Sequence, residues 1–339
     1  MKRLIICADG TWNSPKQEGA DGRSSTNVLK LLRAVKPTGD DGTDQVVFYD
    51  KGVGTGGFCD RILGGAFGVG LSENVLDCYR FLANNYVVGD EIYLFGFSRG
   101  AFTVRSLAGL LGAIGLVSKL HLGKLQYGWR YYRVPPAERH TAQDLLAPLG
   151  PRTEPVTITC IGVWDTVGAL GIPLAPFKNL VGRRYEFHDT ELGSEVRTAF
   201  HAVAIDERRA PFKPTLWQAR PHPQQHVEQV WFPGVHTNVG GGYPDAGLSD
   251  AALQWMLKRV QEFHAIEFNP DYQDRHILPD PSGQIYDSFR GLYRFFGKHV
   301  RNISESASLS AVAVERMWAT GYAPNNVPSG PAERSDTVC

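Results

Sequence analysis

The chain has 339 residues, of which 42% are hydrophobic, and its 35 basic and 35 acidic side chains leave a formal charge of +0 at pH 7. This composition fits one large globular domain with room for insertions and excludes a chain disordered along most of its length. Without a net basic field no nucleic-acid partner is expected, while peripheral membrane contact through a local patch stays open.

Cys7, Cys59, Cys78, Cys160 and Cys339 are scattered and form no CxxC pair. That argues against a disulfide framework and against a cysteine zinc site, and fits reduced thiols in a cytosolic protein. The amino terminus, MKRLIICADG, has only the short apolar run 4–7 before Asp9, too short for a signal-peptide core. No later segment approaches the roughly 18 apolar residues of a membrane span. A cytoplasmic location is therefore expected, with export by a signal-less secretion system left open.

In chain order, RLIICAD (3–9) reads as a buried strand, TNVLKLLRAVK (26–36) as a helix and QVVFYDKG (45–52) as a second strand. SENVLDCYRFLANNY (72–86) has helical period, EIYLFGFS (91–98) is a third strand, and RGAFTVRSLAGLLGAIG (99–115) is the helix that follows without a break. VTITCIGVWD (156–165) and EQVWFPGVH (228–236) are further strands, and LSDAALQWMLKRVQEF (248–263) a further helix. Short, nearly continuous apolar runs alternating with helices predict an α/β fold, a mostly parallel sheet with helices on both faces and right-handed crossovers. Irregular Pro- and aromatic-rich stretches near 116–155, 170–190 and 208–227 are read as lid-like insertions. Residues 1–265 then form one α/β domain and 266–339 an extension packed on it, with a flexible tail from Pro324.

Gly96-Phe97-Ser98-Arg99-Gly100 stands where the third strand turns into its helix. In G-x-S-x-G, the small flanking residues Gly96 and Gly100 permit a strained strand-to-helix turn that lifts the serine hydroxyl out of the sheet edge. A structural turn is the alternative. A serine hydroxyl is a weak nucleophile until a base takes its proton, so the reading requires a histidine and an acid at other strand ends, in the order Ser, acid, His. Asp165 and His236 hold those positions. Each has a plainer reading: Asp165 as a cap of the following turn, and His236 as a structural histidine. Asp206, Asp245 and Asp250 are reserve acids, and His201 and His299 reserve bases. The oxyanion needs two donors: the N–H of Arg99 and, from the loop after the first strand, that of Gly10 or Thr11. An ordinary Asp-Gly turn competes for that loop.

Two other motifs fail on context. Gly52, Gly54 and Gly57 match G-x-G-x-x-G with Asp77 about 20 residues on, but no helix opens directly and Asp77 lies inside a helical pattern. CADGTW is similar to the loop of the haloacid-dehalogenase phosphatases, yet Cys7 stands where their nucleophilic Asp belongs. A phosphatase built on Asp9 is kept only as a lesser alternative.

DGTWNSP (9–15), TNVLKLLRAV (26–35), YDKGVGTGG (49–57), GFSRGAFTVRSLAGLLGAIGL (96–116), GVWDTVGALGIP (162–173), AIDERRAPFKPTLW (204–217) and WFPGVHTNVGGGY (231–243) together closely resemble the α/β-hydrolase family of the type VI secretion phospholipase effector (Tle-like) catalytic domain. The likeness covers roughly 1–265. It implies a serine hydrolase acting on ester bonds, with Ser98, Asp165 and His236 as its triad and Gly10 and Thr11 in its DGT loop. Relatives often carry a histidine where this chain has Ser310, and the extra regions usual in secreted effectors correspond here only to 265–339.

The combined expectation is a serine esterase or lipase of phospholipase type, with a lipid or small ester as substrate and no metal or organic cofactor. Trp129, Tyr131, Tyr132, Phe177 and Trp217 either line an acyl pocket or pack in the core. The competing class is a binding or partner module that keeps the fold without catalysis.

Overall fold

The computed structural model describes residues 1–10, 24–52, 66–153, 156–168, 192–218 and 222–328. β1 (Arg3–Ala8) is buried at every position, and its side chains still alternate. Leu4, Ile6 and Ala8 join one hydrophobic cluster, Ile5 and Cys7 another, so an unbroken apolar run serves a strand covered on both sides. β2 (Gln45–Asp50), β3 (Glu91–Phe97), β4 (Ile158–Trp164), β5 (Val196–Ala204), β6 (His226–Phe232) and β7 (Ser308–Leu309) complete a seven-stranded sheet in the order β2-β1-β3-β4-β5-β6-β7. Every neighbouring pair is parallel.

α2 (Ala66–Asn85) and α3 (Arg99–Ile114) cover the face of the first cluster; α1 (Asn27–Ala34) and α6 (Gly247–Phe263) cover the other. The fold is α/β-hydrolase-like. From β1 the chain steps outward to β2 and returns on the other side of β1 as β3. The loops leaving the carboxyl ends of β1 and β3 therefore run in opposite directions, and a crevice opens between them at the place where ligands bind in open parallel sheets.

The five expected strands are all present; β5 and β7 are not among those read from the sequence. β5 carries an exposed Arg197 and the buried polar Thr198 and His201, which break the apolar run that marks its neighbours.

α4 (Leu125–Tyr132) packs against α3 so closely that a Cβ on Gly128 would lie 2.6 Å from Ile114 Cδ1. Trp129, Tyr131, Tyr132 and Trp217 all enter the first core cluster. Of the two readings left open for these aromatics, core packing is the one found; Phe177 lies outside the described residues. A third, small cluster joins Val203, Ile205 and Trp231 to Ile303, Leu309, Ala313 and Val314, the last two from α7 (Ala311–Thr320). Ser310 caps that helix by accepting from Ala313 N at 3.1 Å. Cys7, Cys78 and Cys160 are buried and unbridged. Burial raises all three thiols, Cys160 to about 12, so they remain protonated and inert at neutral pH.

Candidate active site

Ser98 sits at φ 58°, ψ −116° between β3 and α3, a conformation that costs a non-glycine residue energy. Its N–H donates to Trp164 O at 3.1 Å, tying the turn to the end of β4. The flanking glycines are needed for space. A Cβ on Gly96 would fall 2.5 Å from Gly100 O, and one on Gly100 would fall 2.0 Å from Ala8 O. Both obstacles are backbone. Gly100→Ala must therefore push the end of β1 away from α3, with an expected loss of about 3 kcal/mol of stability. An unchanged urea midpoint would contradict this steric requirement.

Ser98, Asp165 and His236 come together at the carboxyl ends of the sheet. Ser98 Oγ lies 2.8 Å from His236 Nε2, and His236 Nδ1 lies 2.6 Å from Asp165 Oδ2. The three are 8%, 0% and 4% exposed, in that order. An ionised carboxylate can only accept, which assigns the ring proton to Nδ1 and leaves Nε2 to accept from the serine hydroxyl.

Asp165, the residue after β4, also has positive φ, 39°. β5 holds it in place: Asp165 N donates to Ala202 O at 2.8 Å, and Ala204 N donates to Asp165 Oδ1 at 2.9 Å. Arg301 completes its surroundings, with Nη1 donating to Oδ1 at 2.5 Å and Nη2 to Oδ2 at 2.9 Å. Burial alone would raise the Asp165 carboxyl, but the Arg301 charge and the hydrogen bonds from His236 and Arg301 outweigh it and hold the group well below the usual carboxylate range.

His236 opens the short helix α5 (His236–Gly240) just after β6. Its ring lies between Phe97 and Phe212, with centroid separations of 4.6 and 4.9 Å. Its backbone N–H donates to Glu207 Oε2 at 3.2 Å. Glu207 is in turn gripped by Arg209, whose Nε and Nη2 donate at 2.9 and 2.8 Å. Burial pushes the His236 imidazole below its ordinary value, and the Asp165 hydrogen bond and charge only partly reverse this. The neutral base is thus the resting form at neutral pH.

Glu207, Arg209 and Arg301 were not among the residues singled out from the sequence. The first two lie in the AIDERRAPF stretch that carries part of the family resemblance, a signal that could have found them. Arg301 had none, being one of 35 basic residues in a segment without clear period.

The reserve residues are engaged elsewhere. Asp206 accepts from Gly234 N at 2.6 Å and from Tyr322 OH at 2.7 Å, and Asp245 accepts from Gln284 N at 2.8 Å. Asp250 forms a buried ion pair with Lys30 at 2.6 Å, joining α6 to α1. Burial, helped by the nearby Arg105 charge, lowers His201 to about 3; its Nε2 accepts from Thr166 N at 3.2 Å. His299 N donates to Arg208 O at 2.8 Å.

Asp9, the alternative phosphatase nucleophile, is 1% exposed. Its carboxylate accepts from Gly10 N at 2.7 Å, Thr26 Oγ1 at 2.5 Å and Tyr49 OH at 2.9 Å. These bonds make it a clamp on the loop after β1, and they direct the Gly10 N–H at Asp9 instead of at Ser98. Thr11 lies outside the described residues, while Arg99 is the first residue of α3. Among the described residues no group of three or more His, Cys, Asp or Glu is arranged to hold a metal ion, and no helix is long and apolar enough to cross a membrane.

Comparison with known proteins adds relatives. An uncharacterized protein of Saccharomyces cerevisiae, YEL023C, is 29% identical over 243 residues, covering 65% of this chain and 33% of its own length. The crystal structure of an uncharacterized protein from Pseudomonas aeruginosa is similar at 20% identity and a TM-score of 0.47, over 82% of this chain and 49% of that one. The structure of the Tle1 effector bound to the VgrG spike of the type 6 secretion system is similar at 19% identity and a TM-score of 0.40, over 71% of this chain and 51% of that one. The chain thus spans about a third of the yeast relative and about half of each of these two solved chains. The family described as T6SS, phospholipase effector Tle1-like, catalytic domain matches residues 2–259, and the chain belongs to that family.

Proposed function

We propose that this chain is a serine hydrolase that cleaves carboxylic ester bonds, with lipid or phospholipid acyl esters as its substrate class. The observation that carries the reading is the buried relay from Ser98 Oγ through His236 to Asp165, at 2.8 and 2.6 Å. Membership in a phospholipase effector family supports the lipid ester.

In this mechanism Ser98 Oγ attacks the acyl carbon while His236 Nε2 takes the hydroxyl proton, and Asp165 keeps the ring in the tautomer that can do so. The carbonyl electron pair moves onto oxygen. The N–H of Arg99 in the first turn of α3 stabilises that oxyanion, with Thr11 as the remaining candidate for the second donor. His236 then returns the proton to the leaving alcohol as the C–O bond breaks, leaving an acyl-Ser98 ester. Water, deprotonated by His236, attacks this ester and releases the carboxylic acid and free Ser98.

A fluorophosphonate probe reacts only with an activated serine. The expected result is a single adduct on the peptide containing Ser98, with hydrolysis of nitrophenyl esters and of phospholipid vesicles that chelator leaves unchanged. Absence of both adduct and hydrolysis would favour the binding module, and activity that needs a divalent ion would favour phosphoryl chemistry.

The lowered His236 imidazole sets the pH response. Protonation removes the base, and its folded-state value lies below 6.5. The acidic limb of kcat/KM is therefore expected to have its midpoint below 6.5, with full activity above it. A limb centred above neutrality would contradict this electrostatic picture.

A further inference from the structure

We propose that Arg301 is a positioning residue of the Ser98–His236–Asp165 relay, compensating the Asp165 charge so that His236 stays an unprotonated base. The inference rests on the serine-hydrolase reading above for its catalytic meaning, but its geometry stands independently.

Arg301 is 2% exposed and comes from the segment after residue 259, beyond the family match. Its guanidinium closes a planar fork on both Asp165 oxygens, at 2.5 and 2.9 Å. The same two nitrogens donate to Ala204 O and to Phe212 O, both at 2.7 Å. Ala204 ends β5, and the Phe212 ring meets the His236 ring edge-on at 4.9 Å. One side chain thus fixes the acid, the strand beneath it and an aromatic wall of the base. Arg301 O is itself held by Asn326 Nδ2 at 3.2 Å, so the carboxyl-terminal segment reaches the relay directly.

The charges around the ring are balanced without a proton on it. Asp165 after β4 and Glu207 after β5 are acidic; Arg209 in the same loop as Glu207, and Arg301, are basic. His201 of β5 is lowered to about 3 and stays neutral beside Asp165. Tyr243 stands near Arg209 and Glu207 with its phenol raised, chiefly by burial, and so uncharged. His299 feels the Lys213 and Arg301 charges, and burial together with both holds its imidazole below the ordinary value. The two acids therefore face two guanidinium groups, and an imidazolium would be an uncompensated third cation in a buried site. Take Arg301 away and the Asp165 carboxylate has only His236 as a cationic partner. The proton would then be retained on the ring to higher pH.

The test is a titration of ring-labelled histidines by NMR in the full chain, with His236 assigned from a His236→Gln variant. Wild type is expected to show a His236 midpoint below 6.5. Arg301→Gln should raise it by about one unit or more. Arg301→Lys, which keeps the charge and loses the fork, should return it to within about half a unit of wild type. A wild-type midpoint above 6.5, or a folded Arg301→Gln with the midpoint unmoved, overturns the proposal. If Arg301→Gln does not fold, Arg301→Met, which fills similar space without the charge, is titrated in its place with the same expected rise, and an unmoved midpoint there overturns the proposal. The NMR readout does not require turnover, so a chain that ignores the fluorophosphonate probe but shows these shifts refutes the hydrolase reading alone.

Discussion

Ser98→Ala is expected to lower kcat/KM on any ester substrate by at least about four orders of magnitude and to abolish fluorophosphonate labelling, because Ser98 Oγ, 2.8 Å from His236 Nε2, is the proposed nucleophile. Its stability should stay close to wild type, since alanine inherits the same φ of 58°. Ser98→Gly should be equally inactive but more stable than Ser98→Ala. The elbow conformation costs a side-chain-bearing residue roughly 1–3 kcal/mol, and glycine removes that strain while adding unfolded-chain entropy of roughly 1 kcal/mol, for a net gain on the order of 1 kcal/mol. The pair separates function from strain. Hydrolysis surviving in Ser98→Ala would end the mechanism, and a Ser98→Gly variant less stable than Ser98→Ala by the full glycine entropy cost of about 1 kcal/mol would show that the elbow stores no strain.

Asp165→Asn has the second large effect, and it is double. An amide cannot hold the Nδ1–H tautomer as the carboxylate does, so kcat should fall by about 10⁴-fold. The same change leaves the Arg301 guanidinium buried without its counter-ion, although the Ala204 and Phe212 carbonyls remain as acceptors. Breaking one side of a buried pair typically costs about 3–5 kcal/mol, and these two carbonyls place the expected loss near the lower end. The effect has a pH signature. Asp165 titrates lower in the fold than in the unfolded chain, so its contribution is fully present above the unfolded carboxyl value and is lost as pH falls through the folded one. The stability gap between wild type and Asp165→Asn should be widest near neutrality and shrink below about pH 4. A gap that grows on acidification would show that the ion pair has been misjudged.

The parts of this site that are local in the chain are legible in the residues themselves. The G-x-S-x-G turn can be read because its requirement is steric: Gly96 and Gly100 are small because backbone passes within 2.5 and 2.0 Å of where their Cβ would be. Asp165 and His236 can be read because each follows an apolar run that can only be a buried strand, and the carboxyl ends of such strands converge. β5 is not legible in this way, since Arg197, Thr198 and His201 mask its period, although it is the strand that anchors Asp165. The reading of the loop after β1 is incomplete for a related reason. Asp9 looks like an available acid in the sequence, and only folding shows its carboxylate occupied by Gly10, Thr26 and Tyr49.

By itself, then, the sequence determined the parallel α/β architecture, the sharp turn at Ser98 and the strand ends that present an acid and a histidine. These follow from short-range rules: apolar periodicity, glycine sterics and the hand of the crossover. The tertiary structure alone decided which charges those residues meet. Arg301 lies 136 residues from Asp165 in the chain, and Glu207 lies 29 from His236. Nothing in the local pattern singles out one arginine as the one that the sheet will bury. That choice depends on desolvation and charge balance summed over β4, β5, α5 and the carboxyl-terminal segment, quantities that exist only once the chain has closed around them.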